Sequence, residues 1–274
     1  MIRKIWLLPA FMVLTSAASL CGDVPLPSID LGYRQMYNLE FAEAHTTFRD
    51  WEQRYPNDPL GPTSDAAAYL FSEFDRLGVL QSELFTDDAK FKESKKLDPD
   101  PAAKRSFLYA LKTSDALATR ILAEEPNNSN ALFAKVLNLG LQGDYLALIE
   151  KHELQSLGYM KRAGILAETL LAADPSCYDA YLAIGVENYL LGITPAPVRW
   201  VLRLYGAQTN KEDGIAKLRL TAEKGRYLLP YARLLLAVAA LRDKDKPHAR
   251  ELLQGLAREF PNNTLYSREL AKLQ

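Results

Sequence analysis

The sequence predicts an all-α chain built from stacked helical hairpins, and three observations carry that prediction. Apolar residues recur at intervals of three and four through FLYALKTSDALATRILAEE (107–125), YDAYLAIGVENYLL (178–191) and ARLLLAVAALRDK (232–244). That spacing gathers them on one face of a helix. Runs of Val, Ile and Thr alternating at period two, the mark of a half-buried strand, are missing. Four segments finish alike: WEQRYPNDP (51–59), LAEEPNN (122–128), LAADPS (171–176) and LAREFPNN (256–263). In each, an amphipathic helix stops before a proline, whose ring disfavours helical backbone in the preceding residue, and a polar cap for the next helix follows.

The elements are taken in chain order. Arg3 and Lys4 precede the apolar stretch IWLLPAFMVL, and TSAASL follows it. These are the charged, apolar and small-residue regions of a secretory signal, with cleavage after Ala17, Ala18 or Ser19. The alternative is an uncleaved membrane anchor, for which the stretch is short and interrupted by Pro9. Cys21 adds a lipoprotein reading, in which a small residue stands just before a lipidated Cys; Leu20 fits that position poorly. The chain therefore divides into a signal peptide (1–21), a Pro-containing polar linker (22–30) and a helical repeat domain (31–274). The expected address is outside the cytoplasm, periplasmic or membrane-anchored, in a bacterium. Residues 87–104 (DDAKFKESKKLDPDPAAK) form the most polar stretch and predict a connector. Residues 228–242 (LLPYARLLLAVAALR) are apolar on most of the helix circumference, yet Pro230, Arg233 and Arg242 favour a central packed helix over a membrane span. Thr264 to Leu273 predicts a final capping helix.

The small and large positions before the prolines also recur. Phe41, Ala44 and Phe48 precede Pro56; Met160, Ala163 and Ala167 precede Pro175; Ala249 and Leu253 precede Pro261. Tyr181 and Gly185 stand where a first helix would carry a large aromatic and then a small residue four later. In these features the chain resembles the tetratricopeptide repeat family, with unevenly spaced prolines at 56, 126, 175 and 261 in place of a regular repeat. The resemblance implies an α-solenoid of helical hairpins, each burying its apolar stripe against its neighbours. A second stretch, 185–241, runs GVENYLLG, ITPAP, VRWVLRLYGA, NKEDGIAKL and then an apolar helix. It is similar to part of a eukaryotic tetratricopeptide family of the mitochondrial outer membrane linked to inclusion-body clearance, which supports the fold and names no catalytic residue.

Composition narrows the function. With 48% hydrophobic and 24% charged residues the chain is ordinary globular protein, and 33 basic against 34 acidic residues give no field that would select nucleic acid. Two cysteines, Cys21 and Cys177, with no CxxC pair exclude a zinc finger and a thioredoxin-type site. His45, His152 and His248 are far apart, with His45 expected on the outer side of its helix. Walker, GxSxG, GxGxxG, HExxH and calcium-loop patterns are absent. The acidic pairs Asp87-Asp88 and Asp98/Asp100 lie among lysines and read as solvated loop. Asn127-Asn128-Ser129 and Asn262-Asn263-Thr264 match a glycosylation acceptor, but PNN reads better as a helix-end turn followed by the next cap.

The candidate binding residues are Glu187, Asn188 and Tyr189 on an apolar helix, with Arg199, Trp200 and Arg203 on a short helix after Pro195 and Pro197. Arg199 and Arg203, four apart, share a helix face beside Trp200, a surface suited to a carboxylate, a glycan or a lipid headgroup. The competing reading is an internal Glu–Arg pair with Trp200 in the core. No catalytic residue, metal site or cofactor is predicted. The expected function is an exported scaffold or adaptor for a protein or peptide partner. One alternative is a small-molecule or lipid-binding helical protein, which requires a deep apolar cavity near residues 185–233; the other is a hydrolase with an unrecognised site.

Overall fold

A computed structural model describes residues 28–81, 96–193 and 210–273. Among these residues the protein is all-helical, with eleven α-helices and no strand. The helices are α1 (Ile29–Tyr37), α2 (Phe41–Arg54), α3 (Leu60–Leu77), α4 (Pro101–Glu124), α5 (Ser129–Asp144), α6 (Glu153–Ala173), α7 (Tyr181–Ile193), α8 (Lys211–Lys224), α9 (Leu229–Arg242), α10 (Lys246–Glu259) and α11 (Thr264–Ala271). A π-helical turn, Tyr145–Glu150, extends α5, and a 3-10 turn, Tyr178–Ala180, precedes α7. No described helix is long and apolar enough to cross a membrane.

The four proline endings fold into one local structure. Tyr55, Glu125, Asp174 and Phe260 cap α2, α4, α6 and α10, all with φ between −125° and −137° and ψ between 67° and 87°. That is the extended backbone a following proline imposes. Each cap donates its N–H four residues back and accepts one from three residues ahead. The next helix then takes its cap from the same turn. Asn128 caps α5 through Ala131 N and Asn263 caps α11 through Leu265 N, so both PNN motifs serve as turn and cap.

Each helix packs on the next, and α3 also touches α1 and α5. The small positions set the spacing. Ala44, Ala167 and Ala249 are fully buried, as is Phe48, which lies against Gly32 of α1. A Cβ at Gly185 would sit 3.0 Å from the Leu218 nitrogen of α8, so α7 and α8 touch backbone to backbone. A buried polar trio ties α3, α4 and α5 together: Thr63 donates to Asn138 Oδ1 (3.0 Å) and pairs with Ser114, which accepts from Asn138 Nδ2 (3.0 Å). All three residues are buried and mutually satisfied, which fixes helix register.

The ends of the fold meet. Asn262 N donates to Asn38 Oδ1, Asn263 Nδ2 donates to the Tyr37 carbonyl (2.8 Å), and Arg226 forms a two-pronged ion pair with Asp30 (2.6 and 2.7 Å). Tyr227 stacks between Tyr33 of α1 and Phe133 of α5, at 5.1 and 6.1 Å. The helices thus wrap round a shared interior lined mainly by α1, α3, α5, α7 and α9.

Two local expectations change. The polar connector was placed over 87–104, but α4 begins at Pro101, because Asp100 accepts the N–H groups of Ala102 and Ala103 and proline suits the first helical position. Residues 82–95 lie outside the described residues. His45 is not on an outer surface: its Nδ1 lies 2.5 Å from Asp65 of α3, with its ring over Tyr69.

Candidate functional site

Of the residues singled out above, Arg199, Trp200, Arg203 and Cys21 lie outside the described residues. Glu187, Asn188 and Tyr189 are consecutive on α7 and so point about 100° apart. The Glu187 carboxylate rests on Gly164 of α6, and burial, aided by the charge of Glu168, pushes it up to about 7. Asn188 is buried and donates to Asp213 of α8 at 2.7 Å. Tyr189 is buried, with its backbone against Gly214. The three serve the α6–α7–α8 contacts and do not converge on one site.

The convergent feature lies on another face of α7. Leu182, Ala183 and Val186 line a partly enclosed cavity completed by α1, α3, α5, α6 and α9. Its empty volume is about 750 Å³, open space at the mouth included. The enclosed cavity volume is about 80 Å³, several times the roughly 10–15 Å³ one water needs. The walls are apolar: Met36, Phe71, Val136, Leu141, Met160 and Leu228 among others. A smaller cavity adjoins it, and the two share Met36, Tyr37, Phe71 and Tyr231 as a common wall. In that wall Phe71 meets Tyr37 and Tyr231 edge-on, at 5.7 and 5.3 Å.

Polar groups enter at a few points. Asp144, the last residue of α5, accepts a hydrogen bond from the Tyr231 hydroxyl of α9 at 3.2 Å. It keeps some surface, and it lines the cavity. Burial pushes its carboxyl up to about 7, and the Tyr231 bond only partly opposes this. The Tyr37 hydroxyl is buried with no hydrogen-bond partner among the described residues, an uncommon state for a phenol. Asp179 also lines the cavity, but its oxygens accept the N–H groups of Arg226, Tyr227 and Leu228 at 3.0–3.1 Å. It thus anchors residues 226–228, the loop that leads into α9.

Cys177, half-buried at the head of the 3-10 turn, has its thiol pushed up to about 11 by burial, which leaves little thiolate. Among the described residues no group of His, Cys, Asp and Glu could hold a metal ion. Elsewhere, Glu150 is held down at about 2 by Lys104 and Lys96 and pins residues 96–104 to the π-helical turn. No family model, curated protein or solved structure matches the chain.

Proposed function

We propose that the protein is a binding protein whose central cavity takes up a small, largely apolar molecule. The observation that carries this reading is the cavity itself, with its apolar walls and the Asp144 carboxylate among its lining. Apolar walls with a few placed polar groups are the usual make-up of a ligand pocket. The helical arrangement supports a tetratricopeptide-like solenoid whose first helices face inward. In this reading the ends of the solenoid meet, so its concave side forms a chamber in place of an open peptide groove. Export, through residues 1–21, remains part of the proposal on sequence grounds.

The test uses Gly140, which lines the cavity and where an added Cβ would meet nothing within 4 Å. Gly140→Leu fills the space without a backbone clash. Neutral compounds the size of hexanol or toluene should raise the melting temperature of the natural protein and leave that of Gly140→Leu unchanged, as ligand linkage requires. No rise, or an equal rise in both, would reject the reading.

The scaffold reading draws on a different observation. Leu108 and Tyr109 of α4 and Leu154 and Ile165 of α6 are exposed on the outer helices, Leu154 at 87%. It expects a partner protein enriched in a pull-down from envelope fractions and lost when Leu154 and Ile165 are changed to Ser.

A further inference from the structure

We propose, resting on the cavity reading above, that the ligand is an organic ammonium ion, its apolar body among the cavity walls and its N–H groups on Asp144. Among the described residues, Asp144 is the one carboxylate of the lining with acceptor capacity to spare. Asp179 is occupied by three main-chain N–H groups, whereas Asp144 receives a single hydrogen bond, from Tyr231. No Lys, Arg or His stands among the described residues that line the cavity. Among the described residues an ionised Asp144 therefore lacks a counterion in an apolar chamber, an expensive arrangement that a cationic ligand relieves. An anionic ligand would meet an acidic group and no compensating cation.

The walls add a second selection. Tyr33, Tyr37, Phe71 and Tyr231 all line the cavity, and aromatic faces attract ammonium ions most strongly where water is excluded. A neutral alcohol could donate to Asp144 as well, but it would leave the charge uncompensated.

Binding also moves a proton. The ionisable groups lining the cavity are Tyr33 and Tyr37 of α1, Asp144 of α5, Asp179 of the 3-10 turn and Tyr231 of α9. Burial raises all three tyrosines above the ordinary phenol range, so they stay neutral. Asp179 keeps its own main-chain donors throughout. At pH 6 the carboxyl of Asp144 is largely protonated, and an ammonium ion must displace that proton to make its ion pair.

Three compounds with one chain, hexylamine, hexanol and hexanoate, separate the possibilities by calorimetric titration. The natural protein should bind hexylamine about tenfold or more tightly than hexanol, and hexanoate not measurably. Asp144→Asn should reverse the order and bind hexanol about tenfold or more tightly than hexylamine, whose charge then has no counterion. Hexylamine binding at pH 6, compared in two buffers of different ionisation enthalpy, should release close to one proton, and less at pH 8. This readout needs no variant to fold. If hexanol or hexanoate binds the natural protein as well as hexylamine does, or if no proton is released at pH 6, the ammonium assignment falls and the cavity reading stands. If none of the three binds, both fall.

Discussion

At the scale of single residues, two buried carboxylates show how partners decide what a charge does. Asp179 accepts the N–H groups of residues 226–228, where a Cβ on Gly225 would lie 2.6 Å from its Oδ1. Asp179→Ala should destabilise the protein by about 3 kcal/mol or more, because it orphans buried main-chain donors. Asp179→Asn, which keeps an acceptor, should cost less. Urea denaturation of both variants checks the order, and equal losses would mean the loop finds other partners. Asp144 has the opposite balance, with its folded-state pKa raised to about 7. Between the ordinary Asp pKa near 4 and about 7, the folded protein holds a proton that the unfolded chain has released. Stability from this group therefore falls as pH rises through that window. Asp144→Asn should be about 1–3 kcal/mol more stable than the natural protein at pH 8 and no more stable at pH 4.5. A gain equal at both pH values would contradict the assignment.

At the scale of elements, helix contacts depend on where side chains are absent. A Cβ at Gly214 would lie 2.5 Å from the Tyr189 nitrogen, whereas one at Gly158 or Gly255 would meet nothing within 4 Å. Gly214→Ala should destabilise by about 1–3 kcal/mol, through forced separation of α7 and α8. Gly158→Ala and Gly255→Ala should each stabilise by about 0.5–1 kcal/mol, the ordinary gain of Ala over Gly within a helix. Thermal unfolding of the three variants tests the contrast. This level of the structure was the most legible in the sequence, because it is local. The proline endings announced their caps, and Ala44, Phe48 and Gly185 announced close contacts. The start of α4 was missed because Asp100-Pro101 sits in a lysine-rich stretch, where charge hid a capping signal. The cavity was barely visible, since most of its lining comes from α1, α3, α5 and α6. Residues 185–233 were marked, and Val186, Leu228 and Tyr231 do line it. The polar residues that attracted notice, Glu187 and Asn188, point to neighbouring helices instead. Asp144 gave no signal of its own, since its role arises only when α9 brings Tyr231 to it.

At the scale of the whole molecule, the fold couples residues about as far apart as the described chain allows. Asn263 holds both the first turn of α11 and the last carbonyl of α1. Asn263→Ala should therefore speed amide exchange in residues 29–37 as well as in 264–271. A change confined to α11 would show that the ends touch without energetic coupling. The same closure sets an order of events during synthesis. The first helices leave the ribosome while their partners at 226–227 and 262–263 have yet to be made. The early hairpins can form, with Tyr33 on Phe48 and Tyr37 on Phe71, but the faces that Tyr227 and Phe260 cover must wait until those distant residues emerge, the period in which a nascent chain is most exposed to wrong partners.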